Sequence, residues 1–246
     1  MLLVPRSVNV RLAGVSLEGL ITLPGRARAI ILFAHGSGSS RHSPRNAFVA
    51  RVLNRAGFAT LLFDLLTPLE DARGPSGPRS DIDLLAERLA GATDWLVASP
   101  ETRRLRVGYF GASTGAAAAL VAAAERPNAV GAVVCRGGRP DLARDCLQQV
   151  EAPTRLVVGG LDPEVLELNR WAGARLRHCD LVVVPGATHL FEERGALPQV
   201  AQLARSWFER FLPAALPLSN LPATPAYRRS SAESLQAEGV HAHAAS

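Results

Sequence analysis

The sequence predicts an α/β fold in which a mainly parallel β-sheet is covered by helices on both faces. Short, continuously apolar runs, which are typical of strands buried on both faces, alternate along the chain with longer segments whose apolar residues recur at helical spacing. The length of 246 residues suits one domain of this class. We assign residues 1–214 to the domain. Residues 215–246 are rich in Pro, Ala and Ser and lack periodicity, so we predict a disordered tail there.

The sheet is predicted to have about eight strands. Residues 7–12 and 15–23 have no helix between them and are expected to pair as an antiparallel hairpin at one edge. Each later strand is followed by a predicted helix or long loop, which favours parallel pairing. These later strands are predicted at residues 29–34, 59–63, 105–110, 129–135, 154–158 and 181–184.

Capping residues place most of the helices. Ser43 and Pro44 are expected to begin the first helix, and Gly57 to follow its end. After a Pro-, Gly- and Arg-rich loop at residues 66–79, Ser80 is predicted to cap the second helix. The remaining helical segments are predicted near residues 113–125, 141–149 (short), 163–174 and 197–211.

Composition excludes several classes of function. The net charge is +5, but every basic residue is Arg, and no basic run interleaved with aromatics occurs, so we expect no nucleic-acid partner. No apolar run reaches the length of a membrane span, and the first residues lack a signal-peptide core, so we expect a cytoplasmic protein without membrane contact. Three scattered cysteines predict free thiols rather than disulfides or a zinc site.

A GxSxG motif supplies the candidate nucleophile. Gly111-Ala112-Ser113-Thr114-Gly115 follows an apolar strand directly and opens a helix, which is the context that such a strained strand-to-helix turn needs. Glycines two residues either side of Ser113 leave room for neighbouring backbone. The alternative interpretation is a plain turn with Ser113 as a helix N-cap.

A base and an acid are expected after the serine, with the base last. His189 follows the last predicted strand, whereas the other five histidines either precede that strand or fall in the tail: His35, His42, His178, His241 and His243. Asp162 follows the strand at residues 154–158 and is the predicted acid. It also has the sequence context of a helix N-cap, because Pro163 comes next. Glu192 and Glu193 are the reserve acids.

The oxyanion hole needs two backbone donors. The N–H of Thr114 is one. The other is expected from the Gly/Ser-rich loop after the strand at residues 29–34, with Ser37 as the first choice and Gly38 as the alternative. The alternative interpretation of this loop is an ordinary Gly/Ser turn.

Together these motifs resemble the dienelactone-hydrolase-like branch of the α/β-hydrolase superfamily. The resemblance is to a bacterial group with an HGSGSSRHSPRN loop, a GxSxG elbow and an HLFEE segment, which occur here at residues 35–46, 111–115 and 189–193. It spans roughly residues 7–212 and implies an α/β-hydrolase fold with a Ser113, Asp162 and His189 triad. Dienelactone hydrolases proper use cysteine as nucleophile, so Ser113 favours a general esterase-like activity. Some relatives are fused to a phosphoribosyltransferase domain, and we expect none within this chain.

The substrate site is expected to be open. Between Cys135 and Thr154 there is room for one short helix only, so we predict a minimal cap and a small-molecule substrate. Arginines cluster after the strands whose carboxyl ends form the ligand edge of the sheet, and we expect one or two of them to bind an anionic group of the substrate. Arg136 is favoured, and the other candidates are Arg41, Arg45 and Arg139. Alternatively, Arg is simply the common polar residue of this chain.

The expected reaction is hydrolysis of a carboxylic ester or lactone through an acyl-enzyme on Ser113, with no metal or organic cofactor. A serine at the elbow argues against dehalogenase or epoxide hydrolase chemistry, which needs aspartate there. Two alternatives stay open: a thioesterase, peptidase or acyltransferase with the same triad, and a hydrolase-fold binding or scaffold protein without turnover. The sequence leaves the natural substrate and the oligomeric state undetermined.

Overall fold

An eight-stranded sheet forms the centre of the protein, seen here in a computed structural model that describes residues 3–74 and 77–213. The strand order is β1-β2-β4-β3-β5-β6-β7-β8. β1 and β2 form an antiparallel hairpin, β2 pairs antiparallel with β4, and all further pairs are parallel. The strands are β1 Arg6–Leu12, β2 Val15–Thr22, β3 Ala29–Ala34, β4 Ala59–Phe63, β5 Arg106–Ala112, β6 Val130–Arg136, β7 Thr154–Gly159 and β8 Cys179–Val184. The predicted fold class is therefore confirmed.

Helices cover both faces of the sheet. They are α1 Pro44–Arg55, α2 Pro68–Asp71, α3 Ile82–Ala98, α4 Thr114–Glu125, α5 Pro163–Gly173 and α6 Ala196–Phe211. The apolar sides of α1 and α6 pack together on one face, around residues such as Leu53 and Phe208. α3 and α4 bury their apolar residues on the other face, around Leu89 and Leu120. The central strands β3 and β4 are buried along their whole length, because both faces are covered.

The predicted cap of α3 was wrong by one residue. Ser80 ends a short 3-10 turn, Pro78–Ser80, and Asp81 is the N-cap. The carboxylate of Asp81 accepts the N–H of Leu84 at 3.0 Å. The helix begins one residue later than predicted because the 3-10 turn already uses the backbone of residues 78–80.

One predicted loop contains a helix, and one predicted short helix is a kinked 3-10 helix. The loop at residues 66–79 contains the one-turn helix α2, which begins with a capping box in which Thr67 and Glu70 bond each other's backbone N–H groups. The short helical piece before β7 is a 3-10 helix, Pro140–Gln149, kinked at Arg144, where φ is 46°. Nothing larger than this kinked helix is inserted between β6 and β7, in agreement with the predicted minimal cap.

No helix among residues 3–74 and 77–213 is long and apolar enough to cross a membrane. Cytoplasmic residence stays a prediction. The predicted disordered tail at residues 215–246 lies outside the described residues.

Candidate active site

Ser113 lies in a strained turn between β5 and α4. Its φ of 52° and ψ of −123° place a non-glycine residue in a sparsely populated conformation, which costs about 1–3 kcal/mol. The Ser113 N–H donates to the carbonyl of Arg136 at 3.3 Å, which fixes the turn to the end of β6. Although Ser113 occupies the N-cap position of α4, its side chain makes no capping hydrogen bond. The alternative interpretation of Ser113 as a simple capping serine therefore fails.

The two glycines of the motif are needed for close backbone packing. A Cβ on Gly115 would lie 2.2 Å from the carbonyl oxygen of Ala34, at the end of β3. A Cβ on Gly111 would lie 2.6 Å from the Cα of Ala116. α4 therefore begins directly against the carboxyl end of the central strands, with Ser113 at that edge.

Asp162 and His189 form a direct pair. Asp162 Oδ2 lies 2.8 Å from His189 Nδ1, and because a carboxylate only accepts, the ring N–H donates and leaves Nε2 as an acceptor. Asp162 occupies the N-cap position of α5, as its sequence context predicts, but its side chain makes no capping bond. The carboxylate thus bonds the histidine ring and not the backbone N–H groups of the helix.

The His189 loop is held against β7. A Cβ on Gly159 would lie 2.3 Å from the carbonyl oxygen of Ala187, so the loop crosses directly over this glycine. The Leu161 N–H donates to the same carbonyl at 2.9 Å. These contacts bring Asp162, which follows β7, and His189, which follows β8, to one place.

The two reserve acids have other partners. Glu193 accepts a hydrogen bond from the Thr188 hydroxyl at 2.6 Å, and this bond lowers the pKa of Glu193. Glu192 pairs with Arg45 at 3.2 Å. Neither glutamate is paired with His189, so Asp162 is the acid that the geometry selects.

Two glycines show how close Ser113 is to the loops around it. A Cβ on Gly36 would lie 2.9 Å from the Ser113 Cβ, so the loop after β3 passes directly beside the serine. A Cβ on Gly137 would lie 3.5 Å from Cε1 of His189, and Gly137 directly follows Arg136, whose carbonyl accepts the Ser113 N–H. Ser113 therefore contacts the loop after β3, and His189 approaches Gly137 just after β6, so both residues lie at the carboxyl edge of the sheet.

The predicted oxyanion donors lie beside the serine, but one is already engaged. As the first residue of α4, Thr114 has a backbone N–H with no acceptor within its helix. The Ser37 N–H donates to the Thr114 hydroxyl at 2.9 Å. Gly38 follows in a left-handed conformation, with φ of 72°. The Ser37 amide must therefore release the Thr114 hydroxyl before it can donate to a substrate oxygen.

His35 has a role that the sequence did not reveal. Its buried ring accepts the Leu65 N–H through Nε2 at 3.2 Å, which joins the ends of β3 and β4. Burial lowers the pKa of His35, so the neutral ring is favoured. This histidine positions the loop that carries Ser37.

The candidate arginines divide into paired and unpaired side chains. Arg41 pairs with Asp64 and Glu18. Arg139 pairs with Asp141 through two hydrogen bonds of 2.8 and 2.9 Å. Arg136 is buried, and none of the described acidic side chains pairs with it. Arg45, the fourth candidate, pairs with Glu192, so Arg136 alone of the four has no acidic partner among the described residues.

No set of three His, Cys, Asp or Glu side chains in the described part of the chain is arranged to hold a metal ion. The geometry that is present is a strained serine at the end of a central parallel strand, with an Asp–His pair supplied by the two strands that follow β6. This fold and arrangement define the α/β hydrolases.

Comparison with solved structures narrows the class to a family. The chain is 56% identical to a dienelactone hydrolase from Anabaena variabilis, covering 85% of this chain and 99% of that one with a TM-score of 0.82. The chain therefore belongs to the dienelactone-hydrolase-like α/β hydrolases. Est1E from Butyrivibrio proteoclasticus, at 16% identity, 83% and 98% coverage and a TM-score of 0.70, shares the fold. No protein-family model matches the chain.

Among curated proteins, the chain is 60% identical over 202 residues to a Mycobacterium tuberculosis (strain H37Rv) protein provisionally named a phosphoribosyl transferase. The match covers 82% of this chain and 45% of that protein. The chain thus spans about half the length of the curated relative, and the rest of that relative lies outside the comparison.

Proposed function

We propose that the protein is a serine hydrolase that cleaves a carboxylic ester or lactone through an acyl-enzyme on Ser113. The observation that carries the proposal is the 2.8 Å contact between Asp162 and His189, at the sheet edge where a strained serine also lies whose hydroxyl does not cap its helix. A serine hydroxyl is a weak nucleophile until a base takes its proton, and a histidine oriented by a carboxylate is such a base.

The reaction follows from these roles. His189 Nε2 accepts the Ser113 proton as Oγ attacks the ester carbonyl carbon, and the imidazolium then gives that proton to the leaving alcohol as the ester C–O bond breaks. Asp162 keeps the Nδ1 proton in place and stabilises the imidazolium. Water, deprotonated by His189, then attacks the acyl-enzyme, which releases the acid and restores Ser113.

The oxyanion is stabilised by the N–H groups of Thr114 and Ser37. Because the Ser37 amide donates to the Thr114 hydroxyl at rest, we propose that the substrate carbonyl oxygen replaces that hydroxyl as the acceptor. A net intramolecular hydrogen bond contributes only about 1 kcal/mol. Losing the bond to the Thr114 hydroxyl therefore costs less than the amide gains by stabilising the negative charge of the transition state.

Hydrolysis, rather than phosphoribosyl transfer, is the function that the matched region supports. The transferase name belongs to a protein of which this chain covers 45%, and the shared region has the hydrolase fold. A thioesterase, peptidase or acyltransferase would use the same residues, and a scaffold protein without turnover remains the alternative from another class. An assay of the reactivity of Ser113 distinguishes these enzyme functions from a scaffold protein without turnover.

The test is covalent labelling with a neutral fluorophosphonate, read by intact mass, on the wild type, Ser113→Ala and Ser7→Ala. Ser7 is an exposed serine on β1 and serves as the matched control. We expect one adduct on the wild type and on Ser7→Ala, and none on Ser113→Ala. Folded wild-type protein that takes up no adduct would contradict the proposal and favour the scaffold alternative.

A further inference from the structure

Asn169, on α5, is a polar side chain buried completely inside the protein. Its Nδ2 donates to the carbonyl of Gly138 at 2.9 Å and to the carbonyl of Val165, one turn earlier in α5, at 2.7 Å. These two carbonyls fix the orientation of the amide, because an oxygen in place of Nδ2 would be repelled by both. The Oδ1 atom is buried and accepts no hydrogen bond, which costs free energy. What Asn169 contributes is therefore its pair of N–H donors.

The bond to Gly138 reaches the nucleophile through a single peptide group. The Gly138 carbonyl and the Arg139 N–H belong to one planar unit, so a bond that fixes the direction of the carbonyl also fixes that of the N–H. The Arg139 N–H donates to the carbonyl of Ser113 at 3.1 Å. Asn169 therefore determines how this peptide group is presented to the backbone of Ser113.

The Ser113 carbonyl shares its own peptide group with the Thr114 N–H, the first of the two proposed oxyanion donors. Two N–H groups hold this carbonyl: that of Ala116, from within α4, at 3.0 Å, and that of Arg139, from the loop after β6. A donor at the carbonyl of a peptide group also polarises its N–H, which strengthens the bond that this N–H can make. The hydrogen bonds thus lead from Asn169 through two peptide groups to Thr114.

The loop after β6 contains two glycines, and its backbone therefore needs anchoring. Gly137 has a φ of 49°, and a Cβ on Gly138 would lie only 2.6 Å from the Cβ of Ala116. Glycine restricts the backbone less than any other residue, so contacts have to fix the peptide planes here. The Gly137 N–H donates to the carbonyl of Val157 in β7 at 2.8 Å, and Asn169 anchors the peptide group that follows Gly138 to α5.

We propose that Asn169 is a positioning residue for the oxyanion hole. Through the Gly138–Arg139 peptide it orients the Ser113–Thr114 peptide, so that the Thr114 N–H is aligned with the oxyanion. The inference rests on the proposed function and adds a residue that is too deeply buried to touch the substrate. Because Asp162 is the N-cap of the same helix, α5 supports both the proposed acid and, through Asn169, the oxyanion donor.

The test compares two substrates that differ only in the atom that enters the oxyanion hole: 4-nitrophenyl butyrate and its thiono analogue, in which sulfur replaces the carbonyl oxygen. Sulfur is a weak hydrogen-bond acceptor, so the oxyanion hole favours the oxygen ester, whereas the triad acts on both esters alike. The first variant, Asn169→Leu, has a similar size and no donor. The second, Asn169→Thr, can still bond the Val165 carbonyl through its hydroxyl but does not extend to Gly138.

We expect both variants to lower kcat for the oxygen ester by at least about tenfold with KM within about twofold, because the oxyanion exists only in the transition state. The ratio of kcat for the oxygen ester to kcat for the thiono ester should fall at least about fivefold. A loss of rate that is equal for the two esters would assign Asn169 to the triad or to stability alone and would overturn the proposal.

Asn54→Leu is the matched control. Asn54 is a buried asparagine on α1 whose Nδ2 also donates two hydrogen bonds, both of 3.0 Å, to the Phe58 carbonyl and the Thr60 hydroxyl. Its replacement removes the same chemical group from another part of the core. The variant should lose stability but keep the wild-type ratio of the two esters, and a ratio that falls as far as in Asn169→Leu would contradict a specific role for Asn169.

Amide hydrogen exchange, followed by NMR, tests the hydrogen-bonded path without an assay of activity. Asn169→Leu should speed exchange of the Arg139 N–H by at least about tenfold, while the Gly137 N–H, which bonds Val157, exchanges as in the wild type. If labelling and hydrolysis succeed but neither the ester ratio nor the Arg139 exchange responds, the positioning role is wrong and the hydrolase proposal stands. If the wild type is neither labelled nor active while the Arg139 exchange responds, the hydrolase and its oxyanion hole are wrong and only the backbone contact remains.

Discussion

Asp162 occupies a helix N-cap position, but its side chain contacts a histidine instead of capping the helix. Its position before Pro163 makes it the N-cap residue of α5, which fixes its backbone at the carboxyl end of β7. The carboxylate then lies 2.8 Å from His189 and leaves the helix uncapped. The local sequence determines the backbone position of Asp162, whereas His189, 27 positions later in the chain, determines which contact its carboxylate makes.

Asp162→Asn is expected to lower kcat by about 10³- to 10⁴-fold with little change in stability. The amide keeps the shape, but it can donate to Nδ1 and so favours the ring tautomer whose Nε2 is already protonated. The measurement is the rate of fluorophosphonate labelling and of ester hydrolysis at neutral pH. Glu164→Gln, an exposed carboxylate in the first turn of the same helix, should be unaffected. Equal rates in Asp162→Asn and the wild type would remove Asp162 from the proposed triad.

At the scale of elements, the turn between β5 and α4 determines the position and conformation of Ser113. β5 and β3 pair in parallel up to Gly111 and Ala34, so the start of α4 is pressed against the end of β3. The first turns of α4 consist of small residues, all of them buried, and these allow the approach: Gly115, Ala116, Ala117, Ala118 and Ala119. The same close approach holds Ser113 in its strained conformation, because the turn has no room to relax.

Gly115→Ala is expected to lower the free energy of unfolding by about 1–3 kcal/mol or more and to weaken labelling of Ser113. Its new methyl group would lie 2.2 and 2.5 Å from the carbonyl oxygens of Ala34 and His35, which are backbone atoms and cannot swing away. Urea unfolding is the measurement. Gly25→Ala is the control, since nothing lies within 4 Å of a Cβ there. Equal midpoints for the two variants would show that the turn tolerates a side chain.

At the scale of the whole molecule, the sheet and its two helical layers determine which groups reach solvent. Cys135 in β6 is fully buried, and burial raises the pKa of all three thiols, that of Cys179 to about 11. The same packing leaves the carboxyl edge of the sheet open, where Ser113 and His189 are partly exposed. Reactivity is thus expected at the edge and not among the cysteines.

Native protein treated with a pulse of iodoacetamide at pH 8 is expected to remain unlabelled at Cys135 and to react slowly at Cys146 and Cys179. The physical reason is that the thiolate is the reacting form, and a raised pKa keeps its fraction small. Peptide mass spectrometry reports each site, and the same pulse in urea should label all three. Labelling of Cys135 in the native state would show that β6 opens readily.

Much of the local structure was predictable because its causes are local. The apolar run at residues 29–34 matches β3 residue for residue, and Ser43 and Gly57 flank α1 as predicted. The capping box of Thr67 and Glu70 was missed, although its S/T-x-x-E signal is present in the sequence. Asp81 was missed as a cap because the preceding 3-10 turn shifts the start of α3 by one residue.

The sequence by itself determined the order of the elements and the small-residue turn around Ser113, since both depend on neighbours a few residues apart. The chain order of the candidate residues Ser113, Asp162 and His189 is read directly from the sequence. Only the tertiary structure decided the order of strands in the sheet, the pairing of Asp162 with His189, and the engagement of the Ser37 amide by Thr114. It also decided which arginines are neutralised, because Arg41 meets Asp64 and Glu18 across 23 positions whereas Arg136 meets no acid among the described residues. Charge pairing is a contact between distant segments, so it is set by how the strands bring those segments together and not by the local pattern around each residue.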